Sequence, residues 1–288
     1  MKKLLIIASL SLLAGVLVAM AGVVIYSGNG VWERGSGPYV IWNEGGGAAP
    51  FGDGALLAYT ASANGTNSTD PVFKNLGSGG DVTNEAFGNL GSAQQATFIT
   101  DGAGKQWAEY DGVDDNAYIV VNNIVGWTNT LTGMTVIASL NIRGWNTSHD
   151  NNYFLGSGIG GVNGYGDIQF GLSYRSDVAN RGDLRLWARD EVGSTLSVLG
   201  FGIITLETGV NYQVAATYDG TWFRGYFNGG LFSQTNNMSG PLNQKGPFTI
   251  GGATNGTWMA NARVTDVEKH TRAMSATEIT NIYENSGL

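Results

Sequence analysis

From Ala117 onward the chain alternates apolar and polar residues with a period of two, in one run after another. Met134, Val136, Ala138, Leu140 and Ile142 fall on one face of a strand, against Thr135, Ser139, Asn141 and Arg143. Ile137 is the single apolar residue on the second face. Ile168, Phe170, Leu172 and Tyr174 repeat the pattern, as do Leu184, Leu186 and Ala188, and then Tyr212, Val214, Ala216 and Tyr218. Side chains alternate across a β-strand, so each run is a strand with one buried face. Strands of this kind build antiparallel sheets packed face to face, not a parallel sheet wrapped by helices. Asp219-Gly220 and Asn228-Gly229 punctuate the series as hairpin signals. Further strands are expected at Trp222 to Phe227, Leu231 to Ser233, Phe248 to Gly251 and Ala262 to Val267.

Composition agrees with an all-β chain. The 45 Gly among 288 residues are dispersed in ones and twos between apolar runs, as turns are. Charged residues make up only 13%, so neutral Asn, Ser, Thr and Gly must cover much of the surface. The absence of Cys excludes a disulfide framework, a thiolate metal site and a lipid-modified Cys. With two His, His149 and His270, there is little room for a His-based metal site or triad. The net charge of −8 argues against nucleic acid, which requires clustered Lys and Arg.

The N-terminus carries Lys2 and Lys3 before an apolar stretch from Leu4 to Val24, and Ala19-Met20-Ala21 fits a small-x-small cleavage site. Residues 1–21 thus read as a signal peptide or, if uncleaved, as an N-terminal membrane anchor. Either would carry the remainder out of the cytoplasm, to be secreted or held at the cell surface. Residues 22–54 read as a Gly-rich linker or extension, and residues 55–288 as the sandwich. Ala55 to Thr60 is a plausible first strand, and short strands near Val72-Phe73 and Ala96 to Ile99 interrupt the polar stretch that follows. At the other end, Ser275-Ala-Thr-Glu278 is a capping box. Ala276, Ile279, Ile282 and Tyr283 then share one helical face, with Gly287 where a C-cap is expected.

Three pieces of this chain resemble the laminin-G-like domains of the concanavalin A-like lectin/glucanase superfamily. Tyr110-Asp-Gly-Val-Asp-Asp115 stands before a strand. Val214-Ala-Ala-Thr-Tyr-Asp-Gly220 is followed by Gly225-Tyr-Phe-Asn-Gly229. Phe248-Thr-Ile-Gly-Gly252 is followed by Arg272-Ala-Met-Ser-Ala-Thr-Glu-Ile279. Their order and spacing resemble the family over roughly residues 55–288. The resemblance implies a two-sheet antiparallel jelly-roll sandwich, mostly without catalysis, that binds glycans or proteins, in several members through calcium at the rim. Two departures stand out. Asn261 occupies the usual position of a Gly before the penultimate strand, and the acidic calcium loop of pentraxin-like members is missing.

Candidate site residues follow from chemistry. Calcium takes roughly six to eight oxygens. Asp111, Asp114 and Asp115 put three carboxylates into one turn, with Asp167 as a second rim candidate. The plainer reading makes Asp111 a turn residue bonding its own backbone. Sugar binding uses aromatic platforms beside planar polar groups. Trp127 and Trp145 sit in loop-like settings, and Trp187 lies on the polar side of its strand between Arg185 and Arg189. The plainer reading is that these Trp fill volume. Hydrolysis on this fold resembles a Glu-x-Asp-x-x-Glu strand, with carboxylates about 5 Å apart for retention. Asp190-Glu191 and Asp266-Val-Glu268 do not have that spacing. The expectation is a secreted or surface-anchored module that binds a glycan or an extracellular protein without chemistry. The alternative is a self-associating structural subunit of an extracellular assembly such as a filament, coat or virion surface. A glycoside hydrolase would need a carboxylate pair assembled from separate strands.

Overall fold

The computed structural model describes residues 23–26, 30–33, 55, 57–59, 96–113, 117–119, 132–144, 151–157, 169–174, 182–190, 196–200, 203–242, 248–252 and 260–288. Strands are numbered along the chain. One sheet has seven, in spatial order β11 (Leu196–Leu199), β10 (Gly182–Arg189), β9 (Gln169–Tyr174), β8 (Asn151–Ser157), β16 (Phe248–Ile250) and β6 (Ala117–Ile119), with β12 (Thr205–Leu206) also on β10. The second has eight, in the order β15 (Gly230–Thr235), β14 (Phe223–Phe227), β13 (Asn211–Tyr218), β7 (Met134–Ile142), β17 (Asn261–His270), β5 (Gln106–Asp111) and β4 (Thr97–Thr100), with β3 (Leu57–Tyr59) also on β17. A separate hairpin joins β1 (Val23–Tyr26) to β2 (Gly30–Glu33). The strand neighbours in both large sheets run antiparallel.

The apolar faces meet between the sheets as the alternation requires. Leu184, Leu186, Ala188, Phe248 and Ile250 from the seven-stranded sheet share one core with Val136, Ala138, Leu140, Val214 and Ala216 from the eight-stranded sheet. This is the expected sandwich. Two distant motifs touch inside it: Gly251 has φ +87, and an added Cβ would lie 2.2 Å from the Tyr110 ring. Only a residue without a side chain lets the end of β16 lie on that ring. Asn261, in place of the family's glycine, is accommodated from the opposite side. Gly112 and Gly144 both pack against it, and a Cβ on either would come within 3.0 Å of the Asn261 side chain.

Every residue of β7 is buried, on both faces. The reason is the one helix among the described residues, α1 (Ala276–Glu284), which lies on the outer face of the eight-stranded sheet. Ile279 and Ile282 pack with Met274 onto Ile137, Ala215 and Tyr226. Ile137, the exception to the alternation, is therefore the helix's landing point. The capping box forms as expected, with Ser275 and Glu278 bonded reciprocally. Asn285 is the C-cap, not Gly287: its side-chain amide donates to the Asn281 carbonyl, ending the helix two residues early.

The turns differ in kind. Asn228 and Gly229 take φ +47 and +75 in the two-residue loop between paired Phe227 and Gly230. The Asp219-Gly220 turn is longer, because Tyr218 pairs with Phe223. One Asp219 carboxylate oxygen accepts from the Thr221 and Trp222 amides, and the other from Arg224. Burial pushes this carboxyl's pKa up, but those donors outweigh it and hold it below the ordinary aspartate value.

Candidate functional site

With α1 on one sheet, the outer face of the other carries three of the sequence-predicted binding residues, Arg185, Trp187 and Arg189. Leu184, Leu186 and Ala188 point into the core, so Asp183, Arg185, Trp187 and Arg189 point outward from β10. Tyr153 joins them from β8. Gly171 of β9 pairs with Arg185 on one side and Tyr153 on the other and places no side chain between them. Across that gap the Tyr153 and Trp187 rings meet, with centroids 5.1 Å apart and planes inclined at 42°. This tilted arrangement suits the ring quadrupoles.

Burial defines what a ligand could reach here. Trp187 is 4% exposed and Tyr153 2%, whereas Arg185 and Arg189 are half-buried. Trp187 is on the expected face, but its ring is not an open platform. It packs with Tyr153 in the row between Arg185 and Arg189, which are partly exposed although the Nε of each is buried. Burial lowers the pKa of Arg185, while the neighbouring Asp183 and Tyr153 act in the opposite direction. Asp183 is itself buried and accepts from Thr205 Oγ1 at 3.4 Å. A guanidinium carries five N–H donors in a planar fork that matches a carboxylate. The face thus carries two cationic, planar groups on the same strand face as an aromatic pair.

Tyr153 is absent from any sequence expectation, and the cause is a bulge. The β8 register on β9 shifts between Tyr153 and Leu155. Phe154 and Leu155 both enter the core while Tyr153 faces out, so Asn-Asn-Tyr-Phe-Leu-Gly-Ser never alternates cleanly. A break in period beside a Gly is the available signal.

The calcium candidates fare differently. Asp111 ends β5, is exposed, and accepts from the Val113 amide through Oδ1 at 2.7 Å. That is the local turn bond of the plainer reading. Asp114, Asp115 and Asp167 lie outside the described residues, as do Trp127 and Trp145. Among the described residues no three His, Cys, Asp or Glu side chains are grouped to hold a metal.

The eight-stranded sheet carries the remaining charge clusters on its outer face. Glu109 receives Arg263 and lies 3.7 Å from Arg143, and Lys105 bridges Asp266 at 2.7 Å while donating to the Ser286 carbonyl at 2.6 Å. These ties fasten β5, β17 and the segment after α1 to one another. Glu268 and His270 form a buried pair at 2.6 Å. Of the nearest acidic sequence pairs, Asp190 follows β10 and forms an isolated bridge with Leu242, whereas Glu268 lies on β17 of the other sheet.

The laminin-G-type model described as the concanavalin A-like lectin/glucanases superfamily matches residues 111–280, more than half of the chain. The chain belongs to that superfamily. No curated protein matches it by sequence. Among solved structures, the binding domain of botulinum neurotoxin serotype G matches with a TM-score of 0.56 at 12% identity, over 81% of this chain and 51% of that one. The serotype D ligand-binding domain, solved with N-acetylneuraminic acid, matches with a TM-score of 0.53 at 10% identity, over 81% and 51%. The binding domain of paraclostridial mosquitocidal protein 1 gives 0.53 at 14% identity, over 82% and 53%. This chain spans about half the length of each of these, and the likeness is one of fold.

Proposed function

We propose that this chain is an extracellular, non-catalytic binding module whose ligand is a glycan bearing a carboxylate. The observation that carries the reading is the Arg185–Trp187–Arg189 row, with Tyr153 packed against the central ring. Two guanidiniums on one strand face can each grip a carboxylate with paired hydrogen bonds, and the partial burial of Arg185 strengthens such a bond. The aromatic pair holds the row in place and limits the entropy lost on binding. One similarly folded domain was solved with N-acetylneuraminic acid, a sugar of this class. The apolar N-terminal segment supports a location outside the cytoplasm, secreted or anchored.

The test is a glycan array probed with the purified chain, with calcium and with a chelator. Retention on carboxylate-bearing glycans is expected in both conditions. It should fall at least about tenfold in Arg185→Met/Arg189→Met, as charge-assisted pairs are lost, with little change in melting temperature. Retention confined to neutral glycans, or unchanged in the double variant, refutes the assignment. Retention only with calcium moves the site to the rim.

A further inference from the structure

The eight-stranded sheet ends at β15, and the outward edge of that strand pairs with no other strand among the described residues. An open edge is a row of unsatisfied N–H and C=O groups, which soluble proteins usually blunt with Lys, Pro or short length. β15 is Gly-Leu-Phe-Ser-Gln-Thr, six residues with neither Lys nor Pro, and its one such device is a bulge on the β14 side. Its burial runs exposed, exposed, half, half, exposed, half. A bulge interrupts its register with β14 and turns Phe232 inward, against Gly225 and Gly200. Leu231 and Gln234 remain outside and exposed.

Two further observations concern the same side of the molecule. First, no charged residue occurs from residue 225 to residue 244, which includes the whole of β15 and both its flanks. Second, β11, the edge of the opposite sheet, lies beside β15. Leu231 on β15 and Val198 on β11 are both exposed, at 49% and 41%, but on opposite outer faces of the sandwich: Leu231 is level with Tyr226 on the helix side, and Val198 with Trp187 on the other. This strand edge is thus free of charge and carries one exposed large apolar side chain, Leu231.

We propose that β15 pairs antiparallel with β15 of a second copy of this chain, joining two eight-stranded sheets across a two-fold axis. The occupant follows from charge. Two copies at −8 each repel over most approaches, but not where neither edge carries a charge. An antiparallel strand meets its own copy with the same six residues, so the contact is self-complementary and closes as a dimer. Main-chain hydrogen bonds supply the affinity, and Leu231 of each copy adds apolar surface beside them. This inference does not depend on the glycan reading, since Arg185 and Arg189 lie on the other sheet.

The experiment is sedimentation velocity of the purified full chain over a concentration series, with Leu231→Lys, Gln234→Lys and, on the opposite edge strand β4, Thr97→Lys. The parent should pass from monomer to dimer. Each β15 variant should weaken the dimer at least about tenfold, because two-fold symmetry brings like charges together. Thr97→Lys should leave it unchanged, and circular dichroism should report the same fold in all. A parent that stays monomeric throughout overturns the proposal. So do a dimer indifferent to β15 lysines, one dissolved only by Thr97→Lys, and open-ended polymers.

Discussion

Replacing Ile279 with Ala is the sharpest test of how α1 is held. Ile279 is the buried residue of the helix and has no exposed surface. It sits among Ile137, Ala215, Tyr226 and Met274, a cluster separate from the main core. The substitution deletes three carbons, each worth about 0.8 kcal/mol of transfer free energy, or roughly 2.4 kcal/mol together. The cavity left behind adds to this, and buried Ile-to-Ala changes cost about 2–5 kcal/mol. The cluster is small and lies at the surface, so the helix can lift away before the sandwich opens. The loss is therefore capped by the docking free energy, and about 2–3 kcal/mol is expected. Urea unfolding followed by circular dichroism gives the global value. Hydrogen exchange of the α1 amides gives the local one, and these should lose protection while those of β7 and β13 keep most of theirs. A loss below about 1 kcal/mol with an unchanged denaturant slope would refute the packing argument.

The contact between Gly251 and the Tyr110 ring predicts that Gly251→Ala costs more than about 2 kcal/mol. The positive φ alone costs about 1–2 kcal/mol, and a Cβ at 2.2 Å from the ring adds a clash. Thermal melting checks it, and a change under about 0.5 kcal/mol would show that β16 ends elsewhere. At the capping box, the Arg272 hydrogen bond, with Ser275 donors beside it and against partial burial, holds the Glu278 carboxyl at about 2. A folded pKa below the unfolded one means stability present above about pH 5 and lost as pH falls toward 2. The pair is largely exposed, so the contribution is no more than about 1 kcal/mol. Glu278→Gln should lower stability at pH 7 by that amount and flatten its dependence between about pH 5 and 2. An identical acid profile in the variant would refute the assignment.

What could be read in the sequence depended on whether one period persisted along a strand. β7 and β13 keep one register from end to end, with Ile137 and Ala215 the apolar residues on the outer face, so the core-facing residues are legible from residue type alone. The capping box was equally plain because its bonds are local. Bulges defeated the same logic. In β17 the register on β7 shifts between Thr265 and Glu268, with Asp266 at φ +48. Val264 and Val267 both reach the core although three residues apart. Lys269 then turns inward opposite Val136, with its ammonium 5.4 Å from the centre of the Phe248 ring. Nothing in the residue types announces a buried lysine there. The candidate site was half legible for the same reason. Arg185, Trp187 and Arg189 belong to a regular strand and were placed on the right face, whereas their partner Tyr153 sits at a bulge. The covered Trp187 ring agrees with the plainer reading that Trp fills volume here, but the residue that covers it, Tyr153, is distant in the chain.

β17 lies between β7 and β5, with β3 on its later half, yet it follows all of them in the chain. A nascent chain can form hairpins such as β13–β14 as soon as they emerge, but the larger sheet has a vacancy at its middle until residues 261–270 arrive. Pairings so distant in sequence close slowly. During that interval β7 presents one unmatched side, and so does β5. The strands already made must therefore stay shielded until residues 261–270 follow, and a stop codon placed before Asn261 would yield two half-sheets lacking the strand that joins them.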